Sequence, residues 1–259
     1  MDKLQIVKIG GNVIENRKAL QEFLMDFTQL KGPKILVHGG GKEATQMASD
    51  LGVPVQMIEG RRVTDATNLE IITMLYAGKI NKTIVSLLQG LDCNVLGLSG
   101  ADGNSILADK RPSSPIDFGF VGDLTQVNTA FFTMLLENQI TPVCCAITHD
   151  GKGQLLNTNA DTIAAKLAVA LSSFFQVTLS YCFEKKGVLE NIEDEDSVIE
   201  ELTPSYFDQL KSNGKIHSGM LPKIENAFEA LDQGVALVCI GSPKMIIPNE
   251  SFTKITLSC

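Results

Sequence analysis

The chain has 259 residues, of which 44% are hydrophobic and 20% are charged, and its formal net charge is −8. This length and composition fit a globular protein with ample material for a core, either as one large domain or as two lobes. The 30 acidic residues outnumber the 22 basic ones and no basic block occurs, so we expect no nucleic-acid partner.

The sequence contains neither an evident membrane span nor an evident secretion signal. No window holds the roughly 18 unbroken apolar residues of a membrane helix. The segment from Met1 to Gly11 has no hydrophobic signal-peptide core. The six cysteines show no CxxC spacing and the three histidines no metal-ligand pattern, so we expect buried, reduced thiols and no protein metal site. We therefore expect a cytoplasmic protein with no membrane partner.

The first predicted strand, "LQIVKIG", carries Lys8 near its end and is followed by Gly10 and Gly11. An ammonium group is costly to bury, and a glycine pair weakens regular structure unless the backbone must approach something closely. A helix follows over 16–31. The second predicted strand, "KILVHGG", then runs into a further glycine cluster at Gly39–Gly41.

The later elements alternate in the same way. In chain order they are a hairpin in "VQMIEGRRVT", a helical region over 65–91 that we expect to break near Gly78, a strand in "NVLGLSG", a hairpin in "ILADKR…FGFVGDLTQVN", a strand in "TPVCCAIT", a helix over 159–173, a strand in "QVTLSYC", a solvated acidic loop in "NIEDEDSVIEEL", a helix over 218–233 and a strand in "ALVCIG". Continuously apolar strands alternating with helices predict an α/β sandwich around a parallel sheet buried on both faces.

Two strand–glycine–helix junctions lie about thirty residues apart and open at the same edge of such a sheet. Exposed amides and helix dipoles at these junctions form a cradle for an anion. Neither junction fits a dinucleotide fingerprint or a Walker A loop. One junction alone is equally well explained as a tight turn. The pair, together with Lys8 at a strand tip, favours a phosphate or carboxylate site.

Two further motifs carry candidate site residues near helix starts. "LLNTNADTIAAKLA" brings Asn157, Asn159 and Asp161 into a helix, although simple N-capping would also explain them. "KIHSGMLPKIENAFEAL" places Lys223 close to the positive end of a helix dipole, a position that a bound anion would stabilise. The alternative for Lys223 is a solvated surface lysine.

These motifs together resemble the N-acetyl-L-glutamate kinases, a branch of the amino acid kinase family. The resemblance rests on "KIGG", "VHGGGKE", "GRRVTDATNLEIITMLYAGKINK", "LSGADG", "GFVGD", "LLNTNADTIAAKLA" and "GKIHSGMLPKIENAFEAL", in this order and spacing. It implies a three-layer α/β sandwich with an open, mainly parallel sheet of eight strands. It also implies one domain over 1–259, with an acylglutamate-binding lobe over 1–174 and a nucleotide-binding lobe over 175–259.

The resemblance implies a role for each matching residue. The catalytic residues are Lys8 and Lys223, which contact the transferred phosphoryl group, and Asp161, which holds both lysines. The residues that bind the acylglutamate are Gly40, Gly41, Arg62 and Asn157. The residues that bind the nucleotide are Gly10, Gly11, Ser180, Lys186 and Gly187. The implied reaction uses ATP with Mg²⁺ to phosphorylate the γ-carboxylate of N-acetyl-L-glutamate in arginine biosynthesis.

The chain departs from the family pattern in the nucleotide half. The stretch "LSYCFEKKGVL", over 179–189, lacks the aspartate that the family usually has there. Lys185, Lys186 and Glu184 are the candidate replacements for its contacts. Hexameric, arginine-inhibited relatives carry an additional N-terminal helix, whereas this chain enters its first strand at Leu4. We therefore expect a homodimer, paired through the helix after Asp65 and without arginine feedback.

Two alternatives remain open from the sequence. Arg61 stands where the family usually has an apolar or neutral residue, and a guanidinium suits the terminal carboxylate of an N-succinyl group. Strand geometry argues against this, because neighbouring residues point to opposite faces. The second alternative is a non-catalytic amino-acid sensor on the same fold. A sensor would be free to lose Lys8, Asp161 and Lys223, and this chain keeps all three.

Overall fold

The computed structural model describes residues 1–58, 61–191, 193–214 and 220–257. Its strands are β1 (Lys3–Ile9), β2 (Lys34–His38), β3 (Gln56–Ile58), β4 (Arg61–Val63), β5 (Val95–Leu98), β6 (Ile106–Lys110), β7 (Gly122–Val127), β8 (Thr141–Cys145), β9 (Ile147–His149), β10 (Leu155–Asn157), β11 (Gln176–Cys182), β12 (Glu201–Leu202), β13 (Leu237–Gly241) and β14 (Thr253–Ile255). Its α-helices are α1 (Gly11–Glu15), α2 (Arg17–Gln29), α3 (Gly41–Asp50), α4 (Ala66–Thr73), α5 (Asn81–Gln89), α6 (Thr129–Glu137), α7 (Ala160–Leu171), α8 (Pro204–Ser212) and α9 (Leu221–Asp232).

The main sheet has eight strands in the order β12–β14–β13–β11–β1–β2–β8–β5. Its neighbouring strands are parallel except β13 and β14, which run antiparallel. Helices lie on both sides of this sheet, with α2 packed against α5 and α7 against α9. The predicted α/β sandwich with an open, mainly parallel sheet is therefore confirmed. All five residues of β2 are buried, as a strand covered on both faces requires.

The register of the central strands brings the two glycine junctions together. Ile9 at the end of β1 pairs with His38 at the end of β2, so Gly10 and Gly39 follow neighbouring strand ends. On the other side of β1, Lys8 pairs with Tyr181 of β11. Since these strands are parallel, their carboxyl ends share one edge of the sheet, where ligands of open α/β sheets bind.

Two smaller sheets lie beside the main one, in the orders β10–β9–β6–β7 and β3–β4. Both predicted hairpins are present, as the antiparallel pairs β3–β4 and β6–β7. The turn of the first hairpin, residues 59 and 60, lies outside the described residues. Isolated bridges join Thr64 to Gly119 and Val121 to Asn157. These bridges connect the end of the β3–β4 hairpin to the four-stranded sheet, next to the Asn157 motif.

The long helix Ala66–Gln89 does not break near Gly78, and that prediction was wrong. Helix α4 continues into a π-helical segment, Met74–Ile80, and then into α5, with helical backbone at both junctions. By length and composition this helix is apolar enough to cross a membrane. Its apolar face is instead part of the protein core, through Ile71, Ile72, Leu75, Ile80, Ile84 and Leu88. We therefore interpret it as a core helix.

Sequence patterns missed two short strands, β12 and β14, on one side of the main sheet. The acidic segment is exposed over 193–196, as expected, but it ends in β12 before α8 begins, and Ile192 lies outside the described residues. Strand β14 adds the antiparallel neighbour of β13. The described cysteines are free and buried, as predicted: Cys93, Cys144, Cys145, Cys182 and Cys239. Cys259 lies outside the described residues.

Candidate active site

Two helices begin at the glycine turns that follow β1 and β2. Gly10 is the N-cap residue of α1, and Gly40 is the N-cap residue of α3. In the described part of the chain, neither N-cap has a side-chain hydrogen bond to the first amides of its helix. Both helix starts therefore present backbone N–H groups to the carboxyl edge of the sheet, an arrangement that suits an anion.

Asp161 lies between two lysines at this edge. Lys8 Nζ forms an ion pair with Asp161 Oδ1 at 2.8 Å. Lys223 Nζ donates a hydrogen bond to Asp161 Oδ2. The side chains of Lys8, Asp161 and Lys223 are 12%, 17% and 27% exposed. Burial by itself would raise the pKa of Asp161, but the charges of Lys8 and Lys223 outweigh it and lower this pKa to about 2.

Three separate elements build this cluster. Lys8 comes from β1, Asp161 from the first turn of α7, and Lys223 from the first turn of α9. Asn159 caps α7 by accepting hydrogen bonds from the amides of Asp161, at 2.7 Å, and Thr162, at 3.2 Å. Capping thus explains Asn159, while Asp161 has a different task. Ser218 and Gly219, which precede α9, lie outside the described residues.

Tyr181 holds Asp161 from β11, the strand that pairs with β1. The sequence analysis did not predict this role of Tyr181. Its hydroxyl donates to the backbone carbonyl of Asp161 at 3.3 Å, and only 2% of the residue is exposed. Tyr181 lies in the segment where the sequence departs from the family pattern. That departure was the available signal, but it did not indicate which way the side chain would point.

Arg62 reaches the second glycine turn from β4. Its Nη2 donates to Gly41 O at 2.9 Å and to Thr45 Oγ1 at 2.6 Å. Arg62 is only 8% exposed, and within the described residues its buried Nη1 has no hydrogen-bond partner. A buried guanidinium with an unused donor is costly unless a ligand completes it. The arrangement suits a carboxylate, which accepts two parallel N–H bonds from arginine.

Asn157, the fourth residue predicted to bind the acylglutamate, uses one of its amide donors within the protein. Its Nδ2 donates to Thr64 Oγ1 at 3.0 Å, and Thr64 is fully buried. This bond links β10 to the residue that follows β4. The carbonyl oxygen of Asn157 is an acceptor suited to an amide N–H.

His38, at the end of β2, holds the second glycine turn through a hydrogen bond to Gly39. The sequence analysis did not predict this role of His38. His38 Nδ1 donates to Gly39 O at 2.9 Å, and Nε2 accepts from Asn81 Nδ2 at 3.0 Å. Burial, opposed in part by the hydrogen bond to Gly39, lowers the pKa of His38 to about 4. The imidazole is therefore neutral at pH 7. Asn81 Nδ2 also donates to Val143 O at 2.9 Å, so the turn is fixed to α5 and β8.

Three of the residues predicted to bind nucleotide do not converge on this edge as Gly10 and Gly11 do. Ser180 is 6% exposed and lies inside β11. Lys186 points into the acidic segment, where its Nζ forms an ion pair with Asp196 at 2.5 Å. A Cβ on Gly187 would lie 2.6 Å from Thr253 Oγ1, so packing against β14 is sufficient to explain this glycine. For these three positions, the nucleotide role rests on the resemblance alone.

Comparison with known proteins gives the class. The model of the amino acid kinase family matches residues 3–242. The acetylglutamate kinase of Cytophaga hutchinsonii is 52% identical over 98% of this chain and 97% of that protein. The acetylglutamate kinase of Bacteroides thetaiotaomicron is 49% identical over 96% of this chain and 97% of that protein. The solved structure of carbamate kinase from Giardia lamblia bound to AMP-PNP matches with a TM-score of 0.70, at 15% identity and with 99% of each chain covered. This likeness bears on the fold alone.

The chain belongs to the amino acid kinase family. This confirms the resemblance inferred from the motifs. The two relatives named as acetylglutamate kinases are identical to this chain at about half of the aligned positions.

The depressed pKa of Asp161 predicts a specific loss of stability in acid. Its fall from 3.8 to about 2 on folding corresponds to about 2 kcal/mol of folding free energy at neutral pH. Because the folded-state pKa is the lower one, this contribution is present above pH 4 and is lost as the pH falls towards 2. We expect Asp161→Asn to cost about 2 kcal/mol at pH 7 and progressively less below pH 4.

Urea unfolding of the wild type and Asp161→Asn between pH 7 and pH 3 measures this difference. Asp232→Asn, at an exposed carboxylate at the end of α9, is the matched control and should show no such trend. A difference between wild type and Asp161→Asn that stays constant down to pH 3 would show that Asp161 does not hold its lysines as an anion.

Proposed function

We propose that this protein transfers the γ-phosphoryl group of ATP to the γ-carboxylate of N-acetyl-L-glutamate. The products are ADP and the acyl phosphate N-acetyl-L-glutamyl 5-phosphate, an intermediate of arginine biosynthesis. The observation that carries the proposal is the Lys8–Asp161–Lys223 cluster at the edge where both glycine turns open. The names of relatives that are about 50% identical over nearly the full chain support the choice of substrate.

The chemistry needs no general base. A γ-carboxylate has a reference pKa of about 4.3, so it is already an ionised nucleophile at pH 7. The difficulty is to bring this anion against the polyphosphate of ATP. Lys8 and Lys223 neutralise charge on the transferred phosphoryl group, while backbone amides and in-line positioning supply the rest. Asp161 orients both lysines and remains unprotonated, since its pKa is about 2.

The substrate residues divide between one carboxylate and one amide of the acylglutamate. The Arg62 guanidinium pairs with the α-carboxylate, and Gly40 and Gly41 provide the helix start beside it. Asn157 Oδ1 accepts from the amide N–H of the acylated amine. The unpartnered Nη1 and the uncapped start of α3 support this arrangement.

The nucleotide residues are assigned from the family and from position. Gly10 and Gly11 cradle the ATP phosphates, and a Cβ on Gly10 would lie only 3.8 Å from Lys8 Nζ. Ser180, Lys186 and Gly187 belong to the proposed nucleotide lobe over 175–259, opposite the acylglutamate lobe over 1–174. In the described residues, no group of three or more His, Cys, Asp or Glu side chains is arranged to hold a metal. Mg²⁺ held by the ATP phosphates and by water would supply further neutralisation of phosphate charge, since it needs few protein ligands.

A homodimer without arginine feedback, working in the cytoplasm, completes the proposal. The long helix Ala66–Gln89 exposes Met74 (58%), and the edge strand β5 exposes Leu96 (40%), which supports pairing through this side of the molecule. The particle mass from light scattering should be twice that of the chain. A mass equal to one chain would rule out the dimer and leave the catalytic proposal untouched.

Removal of either lysine should affect turnover more than substrate binding. We expect Lys8→Ala and Lys223→Ala each to lower kcat by a factor of about 10²–10³, or about 3–4 kcal/mol, with a smaller rise in the acylglutamate KM. A coupled assay of ADP release measures both constants. Lys18→Ala, whose side chain is 86% exposed, is the control. Near-normal turnover in either variant would remove the phosphoryl-transfer assignment and favour the sensor.

The two adjacent arginines should differ in effect. Arg62→Lys should raise the acylglutamate KM by about 10–100-fold, because a point charge cannot replace the bidentate fork. Arg61 is exposed while Arg62 is buried, so β4 separates their side chains. We therefore expect Arg61→Leu to leave unchanged the ratio of kcat/KM for N-acetyl- and N-succinyl-L-glutamate.

A loss of N-succinyl-L-glutamate activity alone in Arg61→Leu would reverse this second expectation. It would show that Arg61 binds the terminal carboxylate of the acyl group and that the succinyl compound is the substrate. An unchanged KM in Arg62→Lys would mean that another group binds the α-carboxylate. Aspartate and carbamate in the same assay test the remaining carboxylate and carbamate acceptors.

A further inference from the structure

The π-helical segment Met74–Ile80 packs directly on the second glycine turn. A Cβ on Gly40 would lie 2.3 Å from Ile80 Cδ1 and 2.9 Å from Tyr76 Cε1. Just beyond the π segment, Asn81 bonds His38 in the strand that leads into the same turn. The wider helical turn thus lets Tyr76, Ile80 and Asn81 all contact this region. Single π turns inside α-helices are frequent at functional sites.

The hydroxyl of Tyr76 points along this turn towards the Arg62 region. A Cβ on Gly41 would lie 3.8 Å from Tyr76 Oη, and the carbonyl of the same Gly41 accepts from Arg62 Nη2. Tyr76 is 5% exposed, and in the described part of the chain its hydroxyl makes no hydrogen bond. The hydroxyl oxygen keeps some exposed surface, so a ligand can reach it.

The phenol is a neutral donor at physiological pH. Burial raises the pKa of Tyr76 to about 12, although the charge of Arg62 works in the opposite direction. Tyr76 Oη–H is therefore an unused donor near the start of α3, where Arg62 Nη2 bonds the carbonyl of Gly41. A neutral donor beside a guanidinium and uncapped amides matches an oxygen of a carboxylate.

We infer that Tyr76 is a specificity-determining residue whose hydroxyl donates a hydrogen bond to a carboxylate of the acylglutamate, beside Arg62. This inference rests on the proposed function and adds a substrate contact to it. A phenylalanine would fill the same space against Gly40 and Ile80. Packing therefore explains the ring but leaves the hydroxyl without a task.

The test is the Tyr76→Phe variant, which removes only the hydroxyl. Isothermal titration without ATP gives the dissociation constants for N-acetyl- and N-succinyl-L-glutamate, and steady-state kinetics give KM and kcat. We expect the dissociation constant and KM of the acylglutamate to rise about tenfold, as for the loss of a hydrogen bond to a charged group. The ATP KM and kcat should change little, and the thermal unfolding midpoint should stay within a few degrees of the wild-type value.

Tyr206→Phe, at a half-buried tyrosine of α8, is the matched control and should bind both compounds as the wild type does. An equal rise for both acylglutamates with an unchanged kcat supports a contact with the α-carboxylate, because a contact with the reacting γ-carboxylate would also change kcat. A rise confined to the succinyl compound supports a contact with the terminal acyl carboxylate. Wild-type binding of both compounds by Tyr76→Phe overturns the inference and leaves the proposed function standing. A wild-type protein that binds neither compound overturns both.

Discussion

The attraction between one carboxylate and two ammonium groups is the constraint on which the rest of the site depends. Two ammonium groups held close to one carboxylate repel each other. Asp161 offsets this repulsion because each of its oxygens faces one lysine. Since β1, α7 and α9 each contribute one member, the cluster forms only when distant parts of the chain are correctly packed. Asn159 and Tyr181 hold the backbone of Asp161 in place for this purpose.

The second glycine turn is held by a different type of interaction. His38 is neutral there, because burial lowers its pKa to about 4, and its hydrogen bonds to Gly39 and Asn81 connect the turn to α5. A charged imidazole would add a buried positive charge without a partner. The neutral ring instead keeps the positive charge of this region on Arg62, whose Nη1 is unpartnered within the described residues. The backbone is thus fixed by neutral groups, and the charge is left for a ligand.

The structural features that could be predicted from the sequence are those that depend on strong local patterns. The apolar strands, both hairpins and the two glycine junctions could be read directly, and Lys8 stood out because an ammonium group in a buried strand needs a reason. The π-helical segment could not be read, since Gly78 suggests a break equally well and the widening depends on packing against Gly40. Strands β12 and β14, of two and three residues, are too short to show a period. The contacts of Tyr181 and His38 depend on which strands become neighbours.

Charge balance explains why a protein with a net charge of −8 is suited to bind two anions. Lys8, Lys223 and Asp161 together carry one positive charge, and Arg62 adds a second at the neighbouring turn. Asp161 therefore has two effects: it lowers the net positive charge of the site, and it fixes the positions of Lys8 and Lys223. The proposed substrates, ATP and an acylglutamate, bring more negative charge than these residues neutralise, which leaves a share for the amides at the helix starts. Groups that are already oriented need no rearrangement as charge shifts in the transition state, so fixed position contributes more to the rate than additional mobile charge would.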